Sequence, residues 1–398
     1  MRLIRPALLA GLALAAAACA DQTGPVSPDA APAPGSLAVA ESGRAIEGSY
    51  IVVLNEGAKP RSVAAAAGVA PRYVYDAVLN GFAAQLNAGQ LNALQRNPLV
   101  EYIEQDQVYT TVATQSMDSN GDPWGLDRIN QRDLPLDKKY TYTYTGSTVY
   151  SYIIDTGIRT DHTQFGGRAR NVYDAFGGNG QDCNGHGTHV AGTVGATTYG
   201  VAKKTNLRGL RVLDCKGSGS TSGIIAAVDW LRKNHAKPAV ANMSLGGGYS
   251  SSLNTAVRNL SDAGVFLAVA AGNENQDACN VSPASAGYQH PVATVAASTK
   301  TDSKASYSNY GKCVDLYAPG SAIKSAWHTS SSAVNTISGT SMASPHVAGV
   351  AALVKHRYGD MASSTAWNYV YNATSSGKIK SNPSGTPNRL LYKYVTAW

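Results

Sequence analysis

Apolar positions in this chain gather into short runs that end on glycine or on a residue able to do chemistry. Residues 149–154 and 265–271 are continuous and rich in β-branched side chains, the pattern of strands buried on both faces of a parallel sheet. The first run stops at Asp155, and the second leads into Gly272 and Asn273. Residues 184–192 form a glycine-rich turn opening into a small-residue helix, and residues 347–354 continue an apolar helix behind Ser341. Strands alternating with helices predict an α/β fold, a mostly parallel sheet flanked by helices, which builds its sites at the carboxyl ends of its strands.

Residues 46–112 have a separate rhythm. Strands are expected at 49–54, 80–86 and 100–106 and helices at 63–69 and 89–95, a small α/β unit preceding the larger one. The chain opens differently again: Arg2 and Arg5 precede an apolar run at 7–18 and small residues around Cys19 and Ala20. That layout fits a secretory signal over residues 1–20 and is too short for a membrane span. Residues 21–45, rich in proline, alanine and serine, read as a flexible linker.

Composition adds two constraints. With 398 residues, 43% of them hydrophobic, and 40 glycines, the chain is long enough for a large core in more than one domain. Residues 1–112 hold 7 Lys+Arg and 9 Asp+Glu, against 26 and 17 in residues 113–398, so the two parts carry opposite net charge. The basic residues are scattered singly or in pairs such as Lys138-Lys139 and Lys203-Lys204. No Arg-rich helix or aromatic-basic stripe is present, which excludes nucleic acid as a partner.

Taken alone, Ser341 would merely cap the helix behind it. Asp155 and His186 change that reading, because a serine hydroxyl becomes a nucleophile when a base removes its proton and an anion orients the base. These three supply the roles in the chain order Asp, His, Ser. Segments 149–157, 184–192 and 338–346 resemble the active-site motifs of the subtilisin-like serine proteases, which use this order. Gly339-Thr340-Ser341-Met342-Ala343 departs from the Gly-x-Ser-x-Gly of lipases and esterases. Cys183, His186 and His189 are close together but lack the paired spacing of a zinc site, so His189 is expected to be a structural, hydrogen-bonded histidine.

The resemblance implies a secreted, monomeric endopeptidase acting on polypeptides through an acyl-enzyme, with no membrane attachment in its mature form. In it Asn273 and the Ser341 amide bind the oxyanion. Gly217, Ser218 and Gly219 form one wall for an extended peptide, and Ser244, Leu245, Gly246 and Gly247 the other. Leu245 to Gly247 and Ala270, Ala271 and Gly272 line a pocket without charge, which implies broad cleavage after apolar or aromatic residues. Residues 46–112 resemble the family's inhibitory propeptide, an α/β plait whose end at 108–112 lies in the cleft, with self-cleavage near Val112 and Ala113 leaving 113–398 as the protease.

Cys183, Cys215, Cys279 and Cys313 remain in a chain read as exported, and four cysteines allow three pairings. The resemblance is to the aqualysin branch of the proteinase K-like enzymes, which implies Cys183 with Cys215 and Cys279 with Cys313. It also implies structural calcium, held by Asp315 with carbonyls near His290 and Val292. A second calcium site would map to Asp127, Asn130, Gln131 and Asp137.

Overall fold

The computed structural model describes residues 35–38, 45–111, 113–114 and 123–393, with the backbone alone at 108–114. The expected signal, Cys19 and most of the expected linker lie outside the described residues. Ser36–Ala38, inside that linker, instead forms a strand paired in parallel with Tyr102–Glu104. Leu37 accounts for it, packing on the small unit's core.

Among the described residues seven successive strands, all parallel, run from one edge of a nine-stranded sheet. In spatial order they are Arg170–Asp174, Asn206–Arg211, Tyr150–Asp155, Ala239–Met243, Phe266–Ala270, Val292–Ser298 and Leu316–Pro319. The continuous apolar runs follow from burial on two faces. Ile153, Val240, Phe266 and Ala268 pack with the helices His186–Gly195 and Thr340–Tyr358. Their neighbours Ile154, Ala241, Leu267 and Val269 pack with the helices Thr221–Asn234 and Ser251–Asp262. Fully burying each large aliphatic or Phe side chain contributes about 1.5–3 kcal/mol. After Tyr150–Asp155 the chain adds strands on one side of it and only later crosses to Ala239–Met243 on the other. The strand order therefore reverses at Asp155, where an α/β sheet opens a crevice.

The smaller unit is an antiparallel sheet in the order Val100–Thr111, Ala45–Leu54, Gly81–Gln85 and Tyr73–Tyr75, with helices Pro60–Ala66 and Ala88–Gln95. The first helix starts three residues before the expected 63–69. Pro60 suits a first turn because its missing N–H is an orphan there anyway, and Gly68, at φ 65°, closes the helix off. Alternate residues of Ala45–Leu54 serve two cores. Val52 and Leu54 join Val63, Leu94 and Ile103 within the unit, while Ile51, Val53 and Tyr102 pack into the core that holds Ile225 and Leu253.

Polar groups fasten the same face. Glu104 Oε2 accepts from Ser252 N (2.9 Å) and Oγ (2.7 Å), and Asp106 Oδ1 accepts from Ser222 N (2.9 Å). Each carboxylate thus sits at the N-terminus of a helix, Ser251–Asp262 or Thr221–Asn234, where the dipole favours negative charge. Asp229 Oδ1 in return accepts the backbone N–H groups of Ala77 (2.9 Å) and Val78 (3.1 Å). The expected third strand, 100–106, extends to Thr111 because its last residues find partners on the larger unit.

Candidate active site

Asp155 is the last residue of its strand and has no solvent exposure, 0%. Its Oδ1 accepts from Thr156 N (2.7 Å) and lies 2.8 Å from His186 Nδ1. His186 opens its helix directly after Gly185, which has φ 109°. A Cβ on Gly185 would lie 2.5 Å from both His328 Nδ1 and the Trp327 ring, so the tight entry to this helix requires glycine there.

Asp182 is a site residue that the motif reading missed. Its Oδ1 accepts from Thr156 Oγ1, Asn184 N and Gly185 N, all at 2.9 Å, and its Oδ2 from Thr188 N (2.9 Å) and Oγ1 (2.6 Å). One buried carboxylate thereby joins the turn after Asp155 to the first turn of the His186 helix. An acidic residue four positions before the helix start was the available signal.

Ser341 is the second residue of Thr340–Tyr358 and is fully buried. Its N–H is among the first four of that helix, which have no intrahelical acceptor. Ser341 Oγ donates to the Ser244 carbonyl at 3.3 Å, and His186 Nε2 is buried with no hydrogen-bond partner. The structure therefore brings Asp155 and His186 into contact but does not form a hydrogen bond between His186 and Ser341. Such catalytic bonds commonly tighten only in the reacting complex.

Asn273 follows the strand Phe266–Ala270, and its Oδ1 accepts from Thr340 N (2.9 Å) and Oγ1 (3.0 Å). A backbone N–H can only donate, so the atom facing Thr340 N is the amide oxygen. The Asn273 NH₂ is thereby left to donate elsewhere, beside the N-terminus of the Ser341 helix.

The predicted walls hold an extended segment. Ser218–Ser220 pairs antiparallel with residues 108–110, and Leu245 and Gly246 pair with Thr111 and Thr110. Gly217 precedes the first wall and Ser244 the second, while Gly247 pairs outward with Ser282. Beyond residue 112, Ala113–Thr114 pairs antiparallel with Ser338 and Gly339. The backbone of the small unit thus runs through the cleft and past the start of the Ser341 helix. Ala270, Ala271 and Gly272 are buried, and Gly272 N donates to Thr340 Oγ1 at 3.1 Å.

Cys183 is bonded to Cys215 and Cys279 to Cys313, with Cα separations of 4.9 and 5.3 Å. The first bridge ties the approach to His186 to the loop before the wall Ser218–Ser220. Bridges closing loops of this length contribute roughly 3–4 kcal/mol in the chain-entropy account. His189 Nε2 meets the Ile323 carbonyl at 2.9 Å, and burial pulls its pKa down to about 3. It therefore stays neutral and bound to the backbone, as a structural histidine does.

The expected calcium ligands differ in fit. Among the described residues Asp315 accepts only from Thr294 N (2.8 Å) and faces no cationic side chain, and burial pushes its pKa well above the ordinary carboxylate value. A partly buried carboxyl group with no counter-charge suits a hard cation. The His290 carbonyl already accepts from Val292 N at 2.8 Å, and the His290 ring pairs with Asp262 at 3.1 Å. In the second set Asp127 Oδ1 is buried without a partner, and burial, with Asp137 nearby, raises the Asp127 pKa. The amide oxygens there are occupied: Asn130 Oδ1 by Thr141 N (3.3 Å) and Gln131 Oε1 by Asp137 N (3.1 Å). In the first set Asp315 suits a cation while the His290 carbonyl is occupied; in the second the two aspartates suit one and the two amides are occupied. Among the described residues no three His, Cys, Asp or Glu side chains cluster as a metal site, and no helix is long and apolar enough to span a membrane.

Residues 146–391 match the model of the subtilase family, and residues 49–112 match that of the peptidase inhibitor I9 family. An extracellular serine proteinase of Thermus sp. (strain Rt41A) is 48% identical over 412 residues, covering 97% of this chain and 98% of that one. The crystal structure of a cold adapted subtilisin-like serine proteinase is 50% identical, covers 69% of this chain and 98% of its own, and superposes with a TM-score of 0.66. Fervidolysin from Fervidobacterium pennivorans, 21% identical, covers 90% of this chain and 62% of its own at a TM-score of 0.72, a likeness of fold.

Proposed function

The chain belongs to the subtilase family, and on that premise we propose that Asp155, His186 and Ser341 are its catalytic triad and that it matures by cutting its own chain between Val112 and Ala113. It is a secreted, extracellular serine endopeptidase with a propeptide of the I9 type. The observation that carries the proposal is the course of the backbone, held by both walls up to Thr111 and by Ser338 and Gly339 from Ala113. That is how a substrate is held by strand addition on either side of a scissile bond.

In this reading His186 Nε2 takes the Ser341 Oγ proton as Oγ attacks the substrate carbonyl carbon. Asp155 holds Nδ1–H, fixing the tautomer that leaves Nε2 able to accept and stabilising the imidazolium. The negative charge on the carbonyl oxygen is met by the Asn273 NH₂ and the Ser341 N–H. His186 then protonates the leaving amine, and water resolves the acyl-enzyme by the same steps in reverse roles.

The segments proposed for the pocket, Leu245 to Gly247 and Ala270 to Gly272, bring no charged side chain. Digestion of a peptide library by the mature enzyme is therefore expected to yield cuts mainly after apolar and aromatic residues. A digest dominated by cuts after Lys or Arg would overturn this preference.

The propeptide inhibits by occupying the cleft, and its carboxylates make that hold depend on pH. Burial raises the pKa of Glu104 and of Asp106 above their ordinary values. A carboxyl group with a raised pKa binds more protons in the docked state than in the unfolded one. Its contribution is fully present below the ordinary carboxylate pKa and is lost as pH rises through the raised value. In the Ser341→Ala precursor, Glu104→Gln removes the share of this dependence that Glu104 contributes and leaves that of Asp106. The Tm of Glu104→Gln relative to the parent is expected to climb as pH rises from about 4; a difference flat with pH would contradict the argument.

Calcium at Asp315 supplies a charge partner to a carboxyl group that has none. Calcium at one hundred times its Kd is expected to raise the Tm by roughly 4–5 °C. Asp315→Asn abolishes most of that rise if the assignment holds; a full calcium response in Asp315→Asn would remove Asp315 from the ligands.

A further inference from the structure

Asn309 is fully buried, 0% exposed, yet no step above uses it. Every polar atom of its side chain, and its backbone N–H, is directed at the segment carrying Asn273. Asn309 Oδ1 accepts from Glu274 N (3.1 Å) and Gln276 N (2.9 Å). Its Nδ2 donates to the Ala271 carbonyl (2.9 Å) and to Glu274 Oε2 (2.8 Å). Its own N–H donates to the Gly272 carbonyl at 3.0 Å.

These bonds bracket Asn273 on both sides without touching it. The chain makes room for the clamp at Gly272, which has φ 100° and where a Cβ would lie 2.2 Å from Asn309 Nδ2. Asn273 has its own side-chain oxygen pinned by Thr340. With the backbone of residues 271–276 held by Asn309 and the side-chain oxygen held by Thr340, the Asn273 NH₂ has one direction open to it. Oxyanion stabilisation depends on donors aimed beforehand at where the charge develops, and displacement by about 1 Å costs on the order of 10²-fold in rate.

We propose that Asn309 is a positioning residue for oxyanion stabilisation, acting on the transition state through Asn273 and not through substrate binding. The inference rests on Asn273 as an oxyanion donor, the reading given above. It makes Glu274 part of the clamp, since that side chain receives one of the two Asn309 donor bonds.

The test is a double-mutant cycle on the mature enzyme with a chromogenic peptide, measuring kcat and KM separately. Asn309→Ala is expected to lower kcat about 10- to 100-fold with KM within about threefold, and Asn273→Ala to lower kcat about 10²–10³-fold. In the Asn273→Ala background, Asn309→Ala is expected to lower kcat less than twofold, because the group it aims is already gone. Equal losses in both backgrounds, a loss confined to KM, or an unchanged kcat in Asn309→Ala would overturn the clamp. An unchanged kcat in Asn273→Ala would instead overturn the oxyanion reading, and the clamp with it.

Should Asn309→Ala not fold, Asn309→Asp keeps the size and the two acceptor bonds but sets a second carboxylate against Glu274. Adding Glu274→Gln reverses donor and acceptor in that contact. Partial recovery of kcat over Asn309→Asp alone supports the clamp, and no recovery in a folded protein counts against it.

Discussion

Ser341→Ala is expected to remain a single uncut precursor without measurable casein hydrolysis, since the serine of a subtilisin is worth about 10⁶-fold in kcat and the uncut propeptide keeps the cleft filled. Alanine removes the attacking oxygen and leaves the rest of the cleft nearly unchanged, since among the described residues Ser341 Oγ bonds only to the Ser244 carbonyl, at 3.3 Å. Intact mass and casein activity are read on the same sample beside the wild type. If the variant is cut near Val112 yet inactive, another protease does the cutting and only self-processing falls. If it still digests casein, Ser341 is not the nucleophile.

Asp155→Asn is expected to cost about 10⁴-fold in kcat, the order known for the aspartate of such triads, with little change in KM. The size follows from the neighbours. Asp155 is 0% exposed, so no substrate reaches it, and its Oδ1 serves both Thr156 N–H and His186 Nδ1. An asparagine that turns its NH₂ toward His186 imposes the tautomer with the proton on Nε2, which cannot accept from Ser341. The precursor should consequently persist uncut for far longer than the wild type. A variant that processes normally, or whose loss lies in KM, would contradict this role.

The features legible in the sequence were the local ones. Asp155 and Asn273 ended apolar runs that need no tertiary information to be recognised as strands, and the glycine-rich turn before His186 marked a helix start. The small unit was readable for the same reason, although its first helix begins at Pro60 and not at residue 63. Pro60 and Gly68 were better boundary signals than the alanine run between them. The strand Ser36–Ala38 was missed because a proline- and alanine-rich segment has no strand pattern of its own, and only pairing with Tyr102–Glu104 makes it one.

By itself the sequence determined the α/β class, the two-part organisation and the identity of the candidate triad, because buried strands, helix starts and turn glycines are set by residues close in the chain. The tertiary structure decided what those residues are aimed at. Asp182 spans the turns after Asp155 and before His186, Asn309 grips residues 271–276, and Glu104 and Asp106 reach the N-termini of helices more than a hundred residues away. A hydrogen bond has a direction and a length, and no local pattern records which distant donor a buried carboxylate or amide will meet. That depends on how the folded layers bring the segments together.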